Sequence, residues 1–167
     1  KTIISINPRI GTNSTPILLN PPYDKAALGQ LFIHNPAAYD PDGDSISYSL
    51  SVCTEYNGKP IKGYTLPPSS DSLYVNPVSG DLVWNTPVDT GIYNIAMNIE
   101  EWRSGVKIGN IVRDMQIEVY KTTNNPPLND SLPSLCKEAG QRIEYLISST
   151  DPDNNRMNHF LTGGPYV

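Results

Sequence analysis

The stretch Ala38-Tyr39-Asp40-Pro41-Asp42-Gly43-Asp44-Ser45-Ile46-Ser47-Tyr48-Ser49-Leu50 decides how the rest of the chain is read. Its second half alternates, with Ile46, Tyr48 and Leu50 on one side of an extended strand and serines on the other, as a strand with one face in a core requires. Its first half is a reverse turn. Gly43 can take the positive φ that other residues avoid, and Asp40, Asp42 and Asp44 place a carboxylate at every second position.

The same text returns further along. At an offset of 111 residues, Asn13 and Pro16 fall on Asn124 and Pro127, Gly29-Gln30 on Gly140-Gln141, and Asp40-Pro41-Asp42 on Asp151-Pro152-Asp153, without a gap. Ile46, Tyr48 and Leu50 meet Met157, His159 and Leu161. Running backwards, Ile4 and Ile6 meet Met115 and Ile117. A period of 111 residues is far too long for a solenoid unit and suits a self-contained sandwich domain of about 100 residues.

The expected organisation follows. Residues 1–11 carry the last strand of an upstream repeat or the first strand of the domain, 12–120 form a complete domain, 121–127 a stiff linker, and 128–167 the N-terminal part of a second repeat. With no initiator Met and no signal segment, the sequence reads as a piece of a longer chain.

Composition agrees with an all-β fold. The 167 residues include 16 prolines, 12 glycines and ten tyrosines, and no stretch sustains a helical apolar period. Strands are expected near 31–34, 45–53, 72–76, 81–85, 91–100 and 106–120, with another near 16–20. Tyr93, Ile95, Met97 and Ile99 alternate, as do Met115, Ile117 and Val119, so these two runs are expected to pair, with Trp84 in or beside the core. Asn76-Pro77-Val78-Ser79-Gly80-Asp81 is turn chemistry.

Seventeen acidic against 12 basic residues give a net charge of −5 with no basic stripe, which argues against nucleic acid and anionic membranes as partners. No apolar run approaches the roughly 20 residues of a membrane helix, so membrane insertion is not expected. Cys53 and Cys136 fit neither a metal knuckle nor a CxxC motif, and their spacing leaves a disulfide or two free thiols open. His34 and His159 stand outside any nucleophile or metal-ligand motif. Glu100 and Glu101 are adjacent on a strand and point to opposite faces, which is wrong for a pair of catalytic carboxyls. No catalytic residue is assigned.

Three phrases carry a resemblance: AYDPDGDSISYSL from Ala38, VNPVSGDLVWNTP from Val75, and DTGIYNIAMNIEEWRSG from Asp89. Together they resemble the cadherin-like, Ig-type repeat module. The later CKEAGQRIEYLISSTDPDNNRMNHFLTGGPY, from Cys136, is similar to repeats of large surface proteins of gliding bacteria that end in a gliding-motility-associated sorting domain. The resemblance implies an immunoglobulin/cadherin-like β-sandwich in tandem repeat, with the second copy truncated. It also implies a non-catalytic spacer and adhesion role in a secreted, cell-surface protein, and calcium as a stabilising ion. Its partners would be neighbouring repeats of the same chain and surface glycans or other cell-surface proteins. Where that family has an aspartate after the Gly-x-Tyr strand, this chain has Glu101.

Calcium takes six to eight oxygen ligands, and Asp40, Asp42 and Asp44 can converge once Gly43 bends the chain; Glu101 is the fourth candidate. The spacing is not that of an EF-hand, since the glycine comes too early. The bland alternative is a plain Asp-Pro-Asp-Gly turn. The second copy offers Asp151, Asp153 and Asn155, with one carboxylate fewer and weaker binding expected. The runner-up function is a carbohydrate-binding accessory module of a secreted polysaccharide-degrading enzyme, with Trp102 as its candidate ligand-binding residue.

Overall fold

The computed structural model describes residues 2–4, 11–131, 133, 135–138 and 140–160. Among them there is no helix; every regular element is a strand. The chain parts into two compact units between Thr122 and Thr123.

Two long strands are the backbone of the first unit, β9 (Gly91–Arg103) and β10 (Val106–Tyr120), a hairpin in which Arg103 faces Val106. Ser104 and Gly105 make its two-residue turn at φ 51° and 76°, the mirror-image turn whose twist matches that of paired strands. Their apolar alternation buries Ile95, Met97 and Ile99 beside Met115, Ile117 and Val119. A bulge between Lys107 and Gly109 gives β10 an extra residue, Ile108, which is fully buried.

On one side β9 pairs with β6 (Ser45–Ser51), with Ile46 opposite Glu101 and Tyr48 opposite Ile99. On the other, β10 is flanked by β1 (Thr2–Ile4), antiparallel at Gly109–Ile111, and by β3 (Tyr23–Ala27), parallel at Gln116–Tyr120. Residues 5–10 of the expected first strand, with Ile6, and Leu161 of the second copy lie outside the described residues.

The second sheet is β4 (Phe32–His34), β8 (Leu82–Trp84) and β7 (Leu73–Val75). Phe32, Val75, Leu82 and Trp84 share one buried cluster with the inward residues of β6, β9 and β10, which makes the unit sandwich-like. Trp84 is fully buried, its ring edge-on to Tyr93 at 5.2 Å and its indole N–H donating to Pro68 O at 3.2 Å. The β7–β8 turn is built by Asn76, whose side-chain oxygen accepts the amides of Val78 (2.9 Å) and Ser79 (3.1 Å). A two-residue pair, β2 (Ile17–Leu18) with β5 (Ala38–Tyr39), leads into the acidic turn.

In the second unit, β11 (Leu128–Asn129) pairs with β12 (Ser149–Thr150), so that Leu128 faces Thr150 as Ile17 faces Tyr39. Both pairings stand 111 residues apart. Asn124 and Asn125, within the expected linker, hydrogen-bond to Asn155 and Asp153 respectively. Most of the unit's large apolar side chains are exposed, Leu146 and Phe160 among them. Both cysteines are free thiols, Cys53 buried and Cys136 exposed.

Candidate metal centre

The acidic turn organises itself around Asp40. Its Oδ1 accepts the amides of Asp42 (2.9 Å) and Asp44 (3.1 Å), and its carbonyl accepts Gly43 N–H at 3.2 Å, with Gly43 at φ 81°. Turning the chain this way brings the three aspartates together: one carboxylate oxygen from each lies within 4.8 Å of the others.

Two other segments close the site. Strand β9 delivers Glu101 and Arg103 on one face, while Glu100 and Trp102 point to the other. Residues 12–14 approach from the N-terminal side: Ser14 donates its amide to Asp42 Oδ2 at 2.5 Å and its hydroxyl to Asp42 Oδ1 at 3.3 Å, and Asn13 donates to Glu101 Oε1 at 3.3 Å.

Arg103 lies along the carboxylates of Asp42 and Asp44. It grips Asp44 with two nitrogens, at 2.7 and 2.5 Å, stands 3.7 Å from Asp42 Oδ2, and donates to Asn13 Oδ1 at 3.2 Å and Thr12 O at 2.9 Å. The Asp44 contact pushes the guanidinium pKa up from its ordinary value.

The inner half is different. Glu101 has no exposed surface, and its Oε2, like Asp40 Oδ2, is buried without a hydrogen-bond donor. Burial pushes the Glu101 carboxyl up to about 7; the Asn13 contact opposes the rise, and the neighbouring Asp40 and Asp44 carboxylates add to it. Two buried acceptor oxygens without a protein donor call for a proton, a water or a cation. The oxygens of Asp40, Glu101 and Asp42 are hard donors of the kind that calcium takes, so the residue types fit such an ion.

The second acidic turn repeats the first. Asp151 Oδ1 accepts the amides of Asp153 (2.9 Å) and Asn155 (3.0 Å), Asn154 takes φ 58° where Gly43 stands in the first, and Asn125 N–H reaches Asp153 Oδ2 at 2.5 Å as Ser14 reaches Asp42. Asn155 donates to Asn124 Oδ1 at 2.6 Å, and all of these groups are exposed or half-buried.

Other candidate residues stand apart. Trp102 is half-buried, its indole N–H given to Ser47 Oγ at 2.9 Å. Glu100 pairs with Lys107 and accepts from Asn98 at 3.0 Å. His34 ends β4, buried, with Nδ1 2.9 Å from Asp24 Oδ2. Sequence reasoning found the three aspartates and Glu101 but gave no role here to Asn13, Ser14 or Arg103. The signals were present in the coincidence of Asn13 with Asn124 and in Arg103 two places beyond Glu101 on one strand face.

No protein-family model matches the chain, and no curated protein matches it. Two solved chains do. One is a nucleoside hydrolase-related hypothetical protein from Saccharophagus degradans that is associated with carbohydrate metabolism. It is similar at 21% identity and a TM-score of 0.43, over 65% of this chain and 26% of that one. The chain thus spans about a quarter of that protein's length, and at this distance neither its fold nor its associations carry over.

Proposed function

We propose that the chain is a non-catalytic, calcium-stiffened repeat segment of a large secreted bacterial surface protein, serving as spacer and adhesion module. The fold in this reading is a tandem immunoglobulin/cadherin-like sandwich. The observation that carries the cation is the buried pair Glu101 Oε2 and Asp40 Oδ2, two acceptors without a donor beside a cluster of aspartates. Three aspartate carboxylates against one guanidinium leave the site short of positive charge even while Glu101 is protonated. A divalent ion there would tie the 12–14 segment, the acidic turn and β9 to one another, stiffening the end of the unit that leads from the preceding chain.

The repeat is supported by the recurrence of the turn, its amide contacts and its strand pairing 111 residues on. A non-catalytic role is supported by Glu100 and Glu101 lying on opposite strand faces, so that they do not form a facing carboxyl pair. Extracellular display fits an ion abundant outside cells and scarce within them.

Asp40→Asn is the discriminating variant, because the amide oxygen can still accept the Asp42 and Asp44 N–H groups while the charge beside Glu101 is lost. The expected outcome is a calcium-free melting temperature equal to or above that of the parent, with the calcium-induced rise reduced to less than about a third, as a lost charged ligand implies. Differential scanning calorimetry with calcium and with chelator checks it; a full calcium-induced rise in the variant would refute the site.

A further inference from the structure

Arg103 is the only cationic side chain placed on the aspartate cluster among the described residues, and its contacts are unequal. Its guanidinium covers both oxygens of Asp44, whose side chain is only 5% exposed, and approaches Asp42, whereas Asp40 Oδ2 and Glu101 Oε2 receive no donor. The site is divided into a half already neutralised by an internal cation and a half that is not.

Resting on the calcium reading above, we infer that Arg103 is a built-in competitor of the divalent ion: it holds Asp44 away from the metal, confines a single ion to the Asp40–Glu101 side, and sets its affinity low.

Three considerations support this. A carboxylate engaged bidentately by a guanidinium has both oxygens oriented toward planar donors, so it joins a metal shell only when that fork opens. A fixed positive charge on the same carboxylates weakens every cation–carboxylate attraction in the pocket, most strongly where water is excluded. Finally, the second acidic turn builds the same contact without a charge. Asn155, the counterpart of Asp44, donates directly to Asn124 Oδ1, whereas in the first turn Arg103 bridges Asp44 to Asn13 Oδ1 at 3.2 Å. The third position of the turn is therefore joined to the preceding segment in both copies, and in the first copy a carboxylate there requires a cation to make the join. An ion that took over Asp44 would undo that link; an ion on the Asp40–Glu101 side leaves it intact.

The test is calorimetric titration of calcium into the parent chain, Arg103→Gln and Arg103→Lys, each first checked for an intact fold by circular dichroism and a cooperative melt in chelator. Arg103→Gln frees Asp44 and removes the competing charge, so its calcium affinity is expected to rise about tenfold or more. Arg103→Lys keeps the charge but loses the two-nitrogen fork on Asp44, so its affinity is expected to fall between those of the parent and Arg103→Gln. If the parent binds calcium and Arg103→Gln binds it equally or more weakly, the competitor role is overturned while the calcium site stands. If the parent binds none and Arg103→Gln binds, the competitor role holds and native calcium occupancy falls. Silence from both overturns both.

Discussion

In calcium-free buffer the chain is expected to lose about 3 kcal/mol of stability as the pH rises from 4.5 to 7, and Glu101→Gln to remove most of that loss. Glu101 ionises at its ordinary value near 4.5 when unfolded, but in the folded chain burial holds its proton until about 7. Between those values the unfolded state has released a proton that the folded state keeps, so stability falls with rising pH and levels off above the upper value. Below 4.5 both states are protonated and the group contributes no slope. Asp24 works oppositely and in another window: its folded value is lowered, though burial opposes this, by the hydrogen bond to His34, so its contribution vanishes on acidification below the ordinary aspartate range. Calcium should flatten the Glu101 slope, because the metal takes the place of the proton. Urea melts at half-unit pH steps, with and without chelator, check this. A flat calcium-free profile that Glu101→Gln does not alter would mean that the carboxyl ionises normally and needs no cation.

Gly80→Ala is expected to cost about 3 kcal/mol and Gly43→Ala about 1, although both glycines stand near φ 80°. The positive φ penalises any side chain equally at the two sites. They differ in what a methyl group would meet. At Gly43 it would enter open space, whereas at Gly80 it would lie 2.8 Å from two ring carbons of Tyr48, whose side chain is part of the core. The Tyr48 ring is packed in the core cluster, so it retreats only by displacing its neighbours, and its amide, donating to Pro77 O at 3.1 Å, joins β6 to the β7–β8 turn that carries Gly80. Chemical denaturation of both variants in chelator separates the two contributions; equal losses would show that the turn moves freely over β6.

The strands that sequence periodicity revealed are those whose burial is one-sided. Strands β9 and β10 alternate over long stretches because one face meets the second sheet, and Trp84 is as buried as its neighbours imply. Strand β3 was invisible for the converse reason. Tyr23-Asp24-Lys25-Ala26-Ala27 follows two prolines, buries only Ala26 fully, and is held by backbone pairing to a strand more than 90 residues away and by exposed contacts from Tyr23 and Lys25 to Glu118. Nothing local encodes that pairing.

The candidate site divides the same way. The three aspartates and their turn are a local pattern, so the spacing sufficed to place them together. Glu101 entered by resemblance, and its burial follows from strand alternation once the β6–β9 register is known. Arg103 and the 12–14 segment reach the aspartates across the fold, and only the register of β9 against β6 and the course of the N-terminal segment bring them there. Asp42 shows why this matters: its carboxylate already receives the Ser14 amide, so removing it would free the 12–14 segment even without an ion, whereas Asp40→Asn keeps an oxygen for both turn amides and is the cleaner probe.

The most direct test of the central claim is a calcium titration of the intact chain by isothermal calorimetry, paired with its melting temperature in chelator and in excess calcium. The predicted result is saturable binding dominated by one ion, with a gain near 2.7 kcal/mol at a hundredfold excess over Kd and a melting temperature raised by roughly 5–10 °C. No heat of binding and an unchanged melting temperature in millimolar calcium would contradict it, and would leave Asp40, Asp42 and Asp44 as a turn held by its own amide contacts and by Arg103.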